Sequence, residues 1–196
     1  MKPQRAAIDT TVAQPASIAD CERLQASWFV AGAAVNGGEV WHDGPLTWTW
    51  HPYNRHVMLL FPTVIPVDDL ARGLQRVAAL NPRIVGAWLG VDVDPANLAD
   101  VGFERGWAPW WMTASIKGLG PPSDDRVALE TMTPEYIDPD DQALLALART
   151  EPHQTWHAAA RVDGRLAGHA WGHLDGDVAG IFQMAVWPQF RRRGLV

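Results

Sequence analysis

Val178-Ala179-Gly180-Ile181-Phe182-Gln183-Met184-Ala185-Val186, running on into Trp187-Pro188-Gln189-Phe190-Arg191-Arg192-Arg193-Gly194-Leu195-Val196, is the stretch that decides the fold. The first nine residues read as a buried strand, and Pro188 stops it. The chain then enters a basic turn closing on Gly194. If a helix follows such a turn, its first backbone N–H groups are unpaired and point into it, and glycine allows a ligand close to the backbone. Arginine side chains add charge-assisted contacts. Strand, basic turn and helix start together suit a pyrophosphate. Three arginines alone read equally well as a solvated tail, so the preceding elements carry the decision.

Working backward, residues 165–174 and 156–162 are strands joined by Asp163-Gly164, a two-residue hairpin signal. Asp175-Gly176-Asp177 turns the second of them into the strand at 178–186. A helix over 140–149 is started by Pro139-Asp140-Asp141, and 127–131 is a strand. Residues 118–125 (Gly118-Leu119-Gly120-Pro121-Pro122-Ser123-Asp124-Asp125) cannot support regular structure and mark a linker. Before it, Ser17 with Asp20 starts a helix over 17–31. Strands follow at 39–41 and 46–50, joined by His42-Asp43-Gly44-Pro45. A buried strand at 57–61 leads to a helix over 67–80, whose Val67, Leu70, Leu74 and Val77 fall at helical spacing. A strand at 83–90 and a short helix opened by Pro95 come next.

The 186–196 segment resembles the signature of the GCN5-related N-acetyltransferase (GNAT) family, Val-x-Pro-x-x-(Gln/Arg)-x-x-Gly-x-(Gly/Ala), at Val186, Pro188, Arg191 and Gly194. Val196 departs from the small residue that ends the signature. The resemblance implies an α+β fold with a mixed, largely antiparallel sheet flanked by helices. It implies acetyl transfer from acetyl-CoA to a primary amine by direct attack, with no metal. Met184, Ala185 and Val186 would face the pantetheine arm, and Arg191, Arg192, Arg193, Gly194, Leu195 and Val196 the pyrophosphate. The elements at 57–61, 67–80 and 83–90 resemble the C-terminal half of the same fold, but Pro62-Thr63-Val64-Ile65-Pro66 has neither glycine nor base. The expected layout is tandem: a degenerate GNAT-like unit at 1–117, a linker at 118–125, and the first half of an acetyl-CoA-binding domain at 126–196 that stops in the pyrophosphate loop. The alternative is a non-catalytic GNAT remnant or interaction module.

Composition bounds the rest. A net charge of −6 disfavours nucleic acid and anionic lipid as partners. No apolar run approaches the roughly 20 residues of a membrane span, and with no signal-type N-terminus the cytoplasm is the expected compartment. The expected partner is a small-molecule or peptide amine; a homodimer is left open. Cys21 is the single cysteine. His153, His157, His169 and His173 read as ordinary histidines rather than metal ligands: on a strand, His169 and His173 stand about 13 Å apart. Asp92 and Asp94 read as turn and helix-start chemistry. Eleven tryptophans are the unusual feature; each buried one needs a partner for its indole N–H. Trp107, Trp110 and Trp111 are expected to pack in a core or interface. Gln183 cannot act as a base, and no catalytic residue is assigned.

Overall fold

The computed structural model describes residues 15–108, 111–115, 124–136 and 138–194. The elements run α1 (Ile18–Val35), β1 (Glu39–Asp43), β2 (Leu46–His51), β3 (His56–Leu60), α2 (Val67–Leu80), β4 (Ile84–Trp88), α3 (Ala96–Asp100), β5 (Val127–Leu129), α4 (Pro139–Thr150), β6 (Thr155–Val162), β7 (Arg165–Asp175) and β8 (Val178–Val186). They form two four-stranded sheets, ordered β1-β2-β3-β4 and β5-β6-β7-β8. The second is antiparallel throughout. In the first, β3 and β4 run parallel, because α2 carries the chain back across the sheet between them. The α+β class with largely antiparallel sheets flanked by helices is the one expected.

Local chemistry sets the element ends. Ser17 caps α1 in a capping box with Asp20, satisfying orphan N–H groups at the helix start. Asp138 caps α4 by accepting from the Asp140 N–H, with Pro139 in the first turn. Asp94 accepts from Ala96 N at 3.0 Å ahead of α3, the helix-start role read from sequence. Asp163 and Gly164 both have positive φ, 51° and 73°, as a primed hairpin turn requires.

Each sheet has its own core. Trp41, Leu46, Trp48, Val57, Leu59, Leu70 and Val77 fill the space between the first sheet and α2. Tyr136, Leu144, Leu145, Ala148, Ala159, Leu166 and Trp171 fill that between the second sheet and α4. Helix α1 packs on β1 and β2 of the first sheet and on β7, β8 and α4 of the second. Its Trp28 joins the second core, stacked on Phe182 of β8 at 5.0 Å.

Several expectations are corrected. Helix α1 runs on to Val35 and stops where Gly37 adopts φ 66°. Strand β5 ends at Leu129 and β4 spans only Ile84–Trp88. Strand β8 is not buried: among the described residues only β7 pairs with it, and Ile181 and Met184 are 73% and 59% exposed. Trp107 is 75% exposed and touches Trp88 edge-on, while Trp111 tilts against Phe61; both lie on the outside, and Trp110 falls outside the described residues. Indole N–H groups also behave differently from expectation. Trp41 donates to Asp43 and Trp156 to the Pro152 carbonyl, but Trp48, Trp88 and Trp171 have no hydrogen-bond partner among the described residues. A buried tryptophan ring gains about 4–6 kcal/mol from its area, against about 1–3 kcal/mol for an unmade bond, so packing wins. Of the linker stretch, residues 118–123 fall outside the described residues.

Candidate functional site

Strand β8 leaves the regular ladder near its end. His169 of β7 faces Ala185 and Trp171 faces Phe182, so Gln183 and Met184 oppose the single residue Ala170. This is a β-bulge, and Gln183 takes it up with φ 49°, a left-handed conformation uncommon outside glycine. Gly168 lets the strands close again beyond it: a Cβ there would sit 2.6 Å from the Ala185 carbonyl oxygen. Among the described residues β8 is also the edge strand of its sheet, and Gln183, Met184 and Ala185 on it are all exposed. Sequence gave no sign of the bulge, because Gln183 is neither glycine nor asparagine.

After Val186, the Trp187 N–H donates to the Ala167 carbonyl and a single 3-10 turn forms at Pro188–Phe190. Phe190 is buried, with the guanidinium groups of Arg165 and Arg193 each 5.6 Å from its ring centre. Arg191 Nε donates to the Val186 carbonyl at 3.0 Å. Arg192 has φ 61° and Gly194 φ 69°. Among the described residues a Cβ at Gly194 would meet nothing within 4 Å, so glycine is favoured there by its backbone conformation rather than by crowding. Arg126, just before β5, anchors the turn. Its Nη1 donates to the Arg193 carbonyl at 3.0 Å and its Nη2 to the Gly194 carbonyl at 2.9 Å. Asp124 pairs with it at 2.6 Å, and those bonds hold the Asp124 carboxyl down at about 2. Sequence reading missed Arg126, which lies 67 residues before Arg193. Leu195 and Val196 fall outside the described residues.

A cavity of about 340 Å³ reaches the bulge at Gln183. Gln183 lines it from β8, Trp28 from α1, His51 and His56 from the first sheet, Asp138 from the cap of α4, and Asp140 and Asp141 from α4 itself. Asp138 is bonded on both oxygens, to Asp140 N and to Tyr53 Oη. Asp140 Oδ1 is buried without a partner among the described residues. Burial, then the neighbouring Asp138 and Asp141, push the Asp140 carboxyl up; burial and Asp138 do the same to Asp141. His51 is 9% exposed with Nε2 unpartnered among the described residues, and burial, then His56, push it down to about 4.

The histidines of the second sheet are bonded to hydroxyls. Tyr136 Oη meets His157 Nε2 at 2.9 Å and also bonds His169. His173 bonds Ser27 and Thr155 at 2.9 and 3.0 Å, and His153 is exposed. Among the described residues no group of His, Cys, Asp or Glu is arranged to hold a metal, and no helix is long and apolar enough to cross a membrane.

The strand, the bulge and the arginine turn all lie within the part of the chain that a known family covers. Residues 125–196 match the family model described as Acetyltransferase (GNAT) family. Over these residues the chain is similar to the GNAT family. The architecture of the whole chain is GNAT-like as well. It resembles a solved GCN5-related N-acetyltransferase from Kribbella flavida, with a TM-score of 0.51 at 17% identity, over 85% of this chain and 74% of that one. No curated protein matches the sequence. Within the GNAT segment, β8 with its bulge and the turn at 191–194 are the stretch that the sequence signature singled out.

Proposed function

We propose that the chain is an N-acetyltransferase that moves the acetyl group of acetyl-CoA to a primary amine. One observation carries this reading: the bulged, open edge of β8 runs directly into a basic turn that Arg126 pins through the carbonyls of residues 193 and 194. An open strand edge has unpaired backbone groups to offer an extended ligand, which suits the amide-bearing pantetheine arm over Met184, Ala185 and Val186. Arg192 and the neighbouring arginines supply positive charge for the pyrophosphate. Fixing the turn before the ligand arrives lowers the ordering cost of binding.

In the reaction the amine nitrogen attacks the thioester carbonyl carbon. A C–N bond forms, the C–S bond breaks, and the electron pair leaves on sulfur. The proton lost by the amine ends on the CoA sulfur or in solvent. Asp140, Asp141 and His51 lie in the cavity that Gln183 also lines, so the acceptor can approach the bulge from there. The test is release of the CoA thiol with a panel of primary amines. Release that depends on a primary amine, and not on its dimethylated analogue, supports acetyl transfer. Tight acetyl-CoA binding with no release from any amine would instead make the chain an acyl-CoA-binding module.

A further inference from the structure

We infer that the cavity between α1, the first sheet and α4 is a site for a small acceptor carrying two or more cationic groups, a diamine or polyamine, with Asp140, Asp141 and His51 as its binding groups. This rests on the acetyltransferase reading for the fate of the bound amine but not for its binding. The volume of about 340 Å³ lies within the ~300–1,000 Å³ usual for small-molecule sites. Its charge is one-sided. Asp138, Asp140 and Asp141 all line it, and no lysine or arginine among the described residues does.

The carboxylates differ in what they lack. Asp138 is engaged on both oxygens by Asp140 N and Tyr53 Oη. Asp140 has a buried, unpartnered Oδ1, and Asp140 and Asp141 are both destabilised as anions. Such groups lower stability unless a cation completes them. His51 is the independent sign. It lines the same cavity from β2, 9% exposed and with Nε2 unpartnered among the described residues. A neutral imidazole nitrogen accepts an N–H, which an ammonium or amine offers and a carboxylate ligand does not. One ammonium on the α4 carboxylates would leave the second amine to reach Gln183, where the cavity meets the β8 bulge.

The experiment is isothermal titration of putrescine, spermidine and butylamine into the whole chain without acetyl-CoA, beside Asp140→Asn and Asp141→Asn variants. Acetyl-CoA is titrated separately into each. Putrescine or spermidine should bind about tenfold or more tighter than butylamine, and each variant should lose about tenfold, the scale of one charge-assisted bond. Both variants should keep or raise the melting temperature, since each removes a repelled buried charge, so lost binding is not lost folding. Diamine binding without acetyl-CoA binding would keep the cationic site and remove the transferase reading. Acetyl-CoA binding with no preference for diamines, or with variants unchanged, would overturn the site and leave the transferase reading standing.

Discussion

Gly73 shows how one missing methyl group sets the first core. A Cβ there would lie 2.6 Å from Trp48 Nε1 and 2.7 Å from Cε2 of the same ring, and that ring is fully buried. Neither helix backbone nor ring can move far, so Gly73→Ala should destabilise the chain by about 1–3 kcal/mol despite its better helix propensity. Urea denaturation measures this, and a stabilised variant would mean that the ring has room. At the same scale, His51 and His157 are both buried and both pushed down to about 4. Against an unfolded value of about 6.5, such groups add stability that is present above that pH and is lost as pH falls toward 4. The loss is up to about 3 kcal/mol for each. Asp140 and Asp141 act oppositely: their folded values are raised, so their contribution is present at low pH and lost as pH rises through those values. Asp140→Asn should therefore raise the melting temperature at neutral pH, and the gain should vanish in acid. A variant equally stabilised at both pH values would contradict the assigned cause.

At the scale of elements, the basic turn depends on a residue from a different strand. Arg126 holds the carbonyls of residues 193 and 194, and its pairing with Asp124 is about one-third exposed, worth little to global stability. Arg126→Ala should leave the melting temperature nearly unchanged and speed amide hydrogen exchange in residues 191–194. Equal exchange would mean that the 3-10 turn and Phe190 suffice to order the segment. What sequence revealed here followed physical locality. Helix α2 was legible over Val67–Leu80 because its apolar residues keep helical spacing, and the β6–β7 hairpin because Asp163-Gly164 demands positive φ. The bulge at Gln183 was not legible, because its left-handed residue carries no sequence mark. Nor were Arg126, Tyr136 with His157 and His169, and the acidic cavity. Each is assembled from residues far apart in the chain, and periodicity reports only on near neighbours. The arginine run, by contrast, was visible as a cluster of charge on an acidic background.

Over the whole molecule, α1 touches both sheets and places Trp28 in the second core. Trp28→Ala should cost about 3–5 kcal/mol and loosen β8 through the lost stack on Phe182. The division into units at 1–117 and 126–196 is our proposal, and limited proteolysis tests it: first cleavage within 118–125 supports it, and first cleavage within 67–90 contradicts it. The central claim is that the β8 edge and its arginine turn bind acetyl-CoA. The most direct measurement is isothermal titration of acetyl-CoA into the chain, into Arg192→Glu, and into Arg72→Ala. Arg72 serves as the control because it lies on α2, paired with Asp69. Binding should be saturable, weaken with salt, fall about tenfold or more in Arg192→Glu, and stay unchanged in Arg72→Ala. No binding to the unsubstituted chain, or the same affinity in all three, would contradict it.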